Sequence, residues 1–208
     1  MSYLQSQPQP QPTVKTEQIL VVKRSDFFAH EQSWHGLKAV DCDAYLKLIQ
    51  EKKIFTPRNQ AELDPTYKQI IPYLVFTHNQ KYFLMQRAAG ASEQRLANKY
   101  SLGIGGHLRQ EDIAGKSLFD WTKREFEEEI AYTGSLSIKP LGILNDDTNQ
   151  VGQVHVGFVF LITGDSDAIT IKSELQKGFL VSLESCKQYY EYMETWSQMI
   201  FDFLCTHK

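Results

Sequence analysis

Residues 123–130, Lys-Arg-Glu-Phe-Glu-Glu-Glu-Ile, place four carboxylates in five positions directly behind an arginine. Like charges at this density repel, and an isolated helix gains nothing from them. On a helix turning about 100° per residue, with Glu125 at zero, Leu118, Phe119, Thr122, Phe126 and Ile130 fall between about 20° and 140°. That arc is an apolar face for packing on a sheet. Glu129 lies inside it at about 40°, Glu125 and Glu128 sit just outside its edge at zero and about −60°, and Glu127 faces water at about 200°. Three glutamates therefore form an i, i+3, i+4 cluster at the seam between helix and sheet. Carboxylates drawn partly out of water need a proton or a cation beside them. Hard oxygen donors of this kind suit magnesium or manganese. The competing reading is a solvated charged helix, and the position of Glu129 argues against it.

The segment Gly103-Ile-Gly-Gly-His-Leu108 precedes this helix and reads as a glycine turn. Adjacent glycines let the backbone approach a ligand or metal closely. Gly115-Lys116-Ser117 is not a P-loop, because Gln110 stands where that motif requires glycine. His30-Glu-Gln-Ser-Trp-His35 misses the HExxH zinc spacing by one, which would separate the two rings by about 140° on a helix. Arg58, Arg87 and Arg95 are candidate phosphate-facing cations, each with a surface salt bridge as its alternative. His107 follows the glycines and is a substrate-binding candidate. His155, in an apolar strand, reads as hydrogen-bonded structure.

The elements that must position these residues alternate imperfectly between strand and helix, which indicates α/β with a mixed central sheet. Residues 1–16, rich in Gln and Pro, are expected to be disordered. Residues 17–208 are read as a single domain, with 17–68 as an N-terminal extension packed on it. A strand is expected at 17–24 and a helix at 43–53, capped by Asp41 or Asp43. A loop is expected at 55–68, broken by Pro57 and Pro65. Runs 69–77 and 81–87 flank His78-Asn79-Gln80 as a hairpin. The carboxylate helix should span 117–132, from Ser117 as N-cap to Gly134 as its stop. Strands follow at 136–145, 154–163 and 178–182, then an aromatic-rich helix at 184–204.

Composition narrows the function classes. The chain has 208 residues, 42% hydrophobic, with a formal net charge of −3. That gives no electrostatic case for a nucleic-acid duplex or an anionic membrane as partner. Cys42, Cys186 and Cys205 are odd in number and widely spaced, so neither a zinc knuckle nor a disulfide framework is indicated. No leader or membrane-spanning run is recognisable, and a cytoplasmic setting is expected.

Gly105-Gly106 followed by Arg124-Glu-Phe-Glu-Glu-Glu129 resembles the Nudix box, G-x5-E-x7-R-E-U-x-E-E-x-G-U with U a bulky apolar residue. The REUxEE core is matched in full. The resemblance extends through "YKQIIPYLVF", "EQRLANKYSLGIGGH" and "NDDTNQVGQVHVGFVF" to a bacterial branch of MutT-type phosphoesterases, and covers nearly all of residues 17–204. Two positions depart. The loop from Gly106 to Arg124 is four residues longer than the pattern's. The pattern's first glutamate falls on Asp112 counting forward from Gly106, or on Lys116 counting back from Arg124. That glutamate orients the arginine in the family, a role offered here to Asp120. Ala131 replaces the last glycine.

The resemblance implies an α/β/α sandwich and hydrolysis of a phosphoanhydride bond in a nucleoside diphosphate-type small molecule. It makes Glu125, Glu128 and Glu129 ligands of Mg2+ or Mn2+, one of them a potential base. Arg124 joins them, and Gly105 or Gly106 adds a backbone carbonyl. Glu174 is the candidate additional acid beyond the box, with Asp165 and Asp167 next. A Nudix-fold module that binds a nucleotide without cleaving it is the alternative, and a homodimer is compatible with the family.

Overall fold

The computed structural model describes residues 17–87, 98–113, 118–172 and 175–207. The tail 1–16, Arg95, Lys116, Ser117 and Glu174 lie outside the described residues, as does the side chain of Arg87.

Strand β4 (Tyr67–His78) is the spine of the sheet. Its long apolar run is buried on both faces, as a central strand requires. One edge pairs in parallel with β10 (His155–Gly164), from Gln69↔His155 to Thr77↔Thr163. The other edge is shared in succession by β1 (Gln18–Lys23), β7 (Gly103–Gly105) and β5 (Lys81–Arg87). β5 leaves β4 after two pairs, and β7 enters the space it vacates. Beyond β5 lie β6 (Tyr100–Ser101) and β12 (Leu175–Ser182); beyond β10 lie β9 (Leu136–Asn145) and β2 (Gly36–Lys38). β3 (Ile54–Pro57) edges β1, and β8 (Ile130–Tyr132) pairs separately with β11 (Ile169–Ile171).

Period-two alternation along the strands divides the core into two layers. Ile70, Leu74, Phe76, Val156, Phe158 and Phe160 face one side. There they meet Phe27 of α1 (Arg24–Phe27), Ile49 of α2 (Cys42–Lys52), and Trp121 and Phe126 of α4 (Leu118–Glu129). Tyr73, Val75, Leu84, Leu144 and Val159 face the other side. They meet Leu183 and Cys186 of α6 (Leu183–Cys186) and Ile200 and Leu204 of α7 (Thr195–Thr206). The expected α/β/α sandwich around a mixed sheet is what the chain forms.

Local chemistry accounts for the turns. Asn79 and Gln80 both take positive φ, 46° and 61°, giving the tight β4–β5 hairpin its left-handed two-residue turn. Asp41 caps α2 by accepting from Ala44 N at 3.1 Å. Gly103 must be glycine, since a β-carbon there would lie 2.0 Å from the Tyr73 ring.

Several expected boundaries are corrected. Residues 55–68 are not a loop throughout: β3 and the short helix α3 (Arg58–Ala61) occupy their first half. Pro57 is tolerated because β3 is an edge strand. Gly103–Gly105 form strand β7, not the turn. Helix α4 ends at Glu129 and passes directly into β8, so Gly134 is not its stop. The C-terminal helix is interrupted: α6 leads into a 3-10 segment (Lys187–Tyr192), and α7 starts afresh at Thr195. The break coincides with Glu194, whose Oε1 is drawn into the sheet by the Tyr73 hydroxyl, Ser101 Oγ at 2.6 Å and Ser197 Oγ at 3.2 Å. A further short helix, α5 (Gln150–Val154), precedes β10 and is capped by Asn149, which accepts from Gly152 N at 2.9 Å.

Candidate active site

Helix α4 lies on the first face with Trp121, Thr122 and Phe126 fully buried. Trp121, at about −40° on the helical wheel, widens the apolar arc beyond its expected edge. Glu125 therefore lies within the packed face rather than beside it. Burial raises its carboxyl from an ordinary 4.5 to about 7, and the charges of Glu128 and Glu129 add to that effect while Arg124 opposes it. Its Oε1 rests over Gly106, where a β-carbon would come within 2.5 Å of it. Glu125 and the Gly106 backbone thus converge on one place, with no room for a side chain between them, while Gly105 packs against Tyr73 and Ile71 of β4. Glu129 is half-buried, whereas Glu127 and Glu128 are exposed. Lys172 closes the end of the helix, donating from its backbone N to Glu129 O at 2.9 Å and from Nζ to Glu127 O at 2.6 Å.

Arg124 sits half-buried on the flank of the helix. Its Nη1 pairs with Glu128, and its Nη2 lies 2.9 Å from Asp112 Oδ1, a charge contact rather than an aligned hydrogen bond. The guanidinium carbon sits 6.0 Å from the centre of the Trp121 ring. Asp112 is buried. Its Oδ2 accepts from Arg109 N at 3.0 Å and Arg109 Nε at 3.1 Å. Burial opposes ionisation of Asp112, but these hydrogen bonds and the Arg109 and Arg124 charges outweigh it and hold the carboxyl below its ordinary value. Asp112 fills the place that sequence reading offered to Asp120. The forward count from Gly106 was the signal for it.

Other candidates have separate surroundings. Arg58 pairs with Glu17 at 3.1 Å and lies 3.7 Å from Glu62, matching the salt-bridge alternative. Asp165 is taken up by the β8–β9 connection, accepting from Ser135 N at 2.8 Å and Tyr132 Oη at 3.1 Å. Asp167 is exposed. The backbone of Arg87 ends β5 opposite Leu175. His107 and His155, read separately in the sequence, meet in the structure. Their Nε2 atoms lie 3.3 Å apart, and the Glu62 carboxylate is 3.8 Å from one and 3.9 Å from the other. Burial, with the nearby Arg58 charge and His155, pushes His107 down to about 3. His155 Nδ1 donates to Val151 O at 2.7 Å, in line with the structural role expected of it.

The chain is 36% identical over 202 residues to protein YmaB of Bacillus subtilis (strain 168), spanning 90% of this chain and 97% of that one. It superposes on the crystal structure of Tm1382, described as a candidate Nudix hydrolase, with a TM-score of 0.78 and 31% identity over 91% of this chain and 99% of the other. The chain belongs to the Nudix hydrolase family. The fold alone is shared with the Nudix domain of Shewanella oneidensis NrtR, solved with ADP ribose, at a TM-score of 0.52 and 16% identity over 67% of this chain and 87% of that one. No model of a known protein family matches the chain. This Nudix hydrolase has, among its described residues, no helix long and apolar enough to cross a membrane.

Proposed function

We propose that this Nudix hydrolase cleaves a phosphoanhydride bond in a nucleoside diphosphate-type small molecule with the help of a divalent cation, Mg2+ or Mn2+. The carrying observation is the Glu125 carboxylate, half-buried against Gly106 beside two further glutamates. A carboxylate drawn partly out of water, with like charges beside it, is stabilised as an anion by a cation among them. The donors are all hard oxygens, which fits magnesium or manganese. Glu125, Glu128, Glu129 and a carbonyl of Gly105 or Gly106 would hold the ion, which supplies charge neutralisation of phosphate oxygens and acidifies bound water.

The protein's own part is positioning. Trp121 and Phe126 anchor α4 against the sheet, so Glu125 and Glu129 are held by packing. Asp112 and Glu128 hold Arg124 on the same helix, keeping one positive charge near the cluster in the absence of substrate. A carboxylate whose proton affinity is raised by burial is also suited to accept a proton from attacking water once the anionic substrate is in place.

The test is release of phosphate or nucleotide from a mixed panel with magnesium and with chelator. The panel should hold dinucleoside polyphosphates, nucleotide sugars, ADP-ribose, dinucleotide cofactors and nucleoside triphosphates. Magnesium-dependent release that disappears in Glu128→Gln plus Glu129→Gln supports the reading. Undiminished turnover in that double variant would overturn the site. Silence across the panel, with ligand still bound, would move weight to a non-hydrolytic nucleotide-binding role.

A further inference from the structure

A second group of metal-capable side chains lies outside the carboxylate helix. Glu62, at the end of α3, His107, just after β7, and His155, at the start of β10, each bring one donor atom within 4.8 Å of the others. They come from three elements far apart in the chain, so only the tertiary fold assembles them. We propose that Glu62, His107 and His155 form a site for a zinc-class transition metal, distinct from the α4 carboxylates.

The distances carry the argument. Two imidazole nitrogens bound to one tetrahedral zinc, each at about 2.0–2.1 Å, are separated by about 3.3–3.4 Å. The His107 and His155 Nε2 atoms are 3.3 Å apart. The Glu62 oxygen, at 3.8 and 3.9 Å from them, needs to close by about half an ångström to reach a tetrahedral edge. Its side chain is 34% exposed and can make that movement.

The tautomer of His155 is fixed correctly for ligation. A carbonyl can only accept, so Nδ1 carries the proton it donates to Val151 O at 2.7 Å, and Nε2 presents its lone pair to the group. Such an outward hydrogen bond is the usual support of a ligating histidine. A fourth residue borders the site. Gln69 is fully buried, its Oε1 accepts from His107 Nε2 at 2.8 Å, and its Nε2 makes no hydrogen bond among the described residues; metal binding would displace that bond and leave the His107 proton on Nδ1. A buried amide N–H without an acceptor is costly. Water on a metal held by three protein ligands would provide that acceptor. Two histidines with one glutamate is a donor set found in zinc sites that keep an open position. Imidazole selects zinc, copper, iron or nickel over magnesium, so the two sites sort their ions by ligand chemistry.

The site goes beyond the proposed reaction and is tested without it. Full-length protein stripped with chelator is titrated with zinc in the presence of excess magnesium, which occupies the carboxylate site. Calorimetry should show one zinc per chain, and cobalt substituted for zinc should give ligand-field absorption of low coordination number. In NMR spectra the Nε2 resonances of both histidines should shift while Nδ1 of His155 stays protonated. His107→Gln and His155→Gln should each weaken zinc by more than the ~10–100-fold cost of losing an outer partner of a ligand. Glu128→Gln plus Glu129→Gln should leave zinc binding intact even if it abolishes hydrolysis. Absence of zinc uptake under excess magnesium would overturn the proposal. Uptake indifferent to both histidine variants, or lost in the double glutamate variant, would do the same. Should a histidine variant fail to fold, the histidine resonances of the unaltered protein decide the matter alone.

Discussion

Replacing Glu125 by glutamine should stabilise the metal-free protein while destroying its metal response. The carboxyl is held at about 7 against an ordinary 4.5, chiefly by burial. At about 1.36 kcal/mol per pKa unit, the ionised side chain costs the fold about 3 kcal/mol once the pH is well above 7. The folded value lies above the unfolded one. The protonated form's contribution to stability is therefore fully present below about 4.5 and lost as the pH rises through about 7. Glutamine has nearly the same shape and never ionises. In chelator, the stability difference between Glu125→Gln and the native sequence should be near zero at pH 4.5 and grow to about 3 kcal/mol by pH 8. Urea unfolding at a series of pH values measures it, and titrations common to both chains cancel in the difference. Saturating magnesium should then reverse the order, since only the native chain gains from the ion. A difference that does not change between pH 4.5 and 8 would refute the reasoning, as would a variant less stable than the native chain in chelator at pH 8.

Gly106→Ala would put a β-carbon 2.5 Å from Glu125 Oε1, so the carboxylate must swing aside. Turnover should fall about 10²-fold, as for an ångström-scale misplacement, with the melting temperature nearly unchanged. Asp112→Asn removes the buried charge beside Arg124. It should lower turnover about 10–100-fold without affecting magnesium affinity, and Asp112→Glu should restore part of the loss; steady-state kinetics and calorimetry read the two effects. Lys68 is fully buried, donating to Asp147 at 2.8 Å and to two carbonyls, so Lys68→Met should cost about 3 kcal/mol in urea unfolding, the low end for a broken buried pair. Asp147 itself is held well below its ordinary value. Burial opposes this, but hydrogen bonds from Arg24, Lys68 and Asn145 overcome it. Its stabilisation exists above about pH 3.8 and disappears as the pH falls through the lower folded value, so the deficit of Asp147→Asn should shrink in acid.

The carboxylate helix was legible because its pattern is local: one face of a single helix, read from 3.6-residue periodicity. Even there the apolar arc was drawn too narrow without Trp121, and Glu125 was placed at its rim rather than inside. The β4–β5 hairpin was legible from two apolar runs around a short polar turn. What escaped was set by distant partners. β3 and α3 are four residues each, too short to show a period, and β3 is held by pairing with β1. Helical periodicity runs on through Ile130, yet pairing with β11 takes that residue into a strand. The final helix breaks where the Glu194 carboxylate finds three hydroxyls from other elements or the next turn. Asp112 was visible by counting but did not match the family's glutamate. His107 and His155 are 48 residues apart, and nothing in either neighbourhood announces the other.

The glutamates of α4 occupy its C-terminal half, and its last turn has no basic side chain. The peptide dipoles leave partial negative charge at that end, so the helix backbone and its own side chains oppose one another. Lys172, arriving from beyond β11, touches the carbonyls of Glu127 and Glu129. A divalent cation bound there is thus also a helix-terminus ligand, and its binding energy is shared with local folding. Amide protons around 126–130 should exchange with solvent more slowly as the ion concentration rises, with no substrate present. On the proposed function, the free-ion level would set how often this end of the helix opens, and a shortage of metal would also loosen the helix that carries the site.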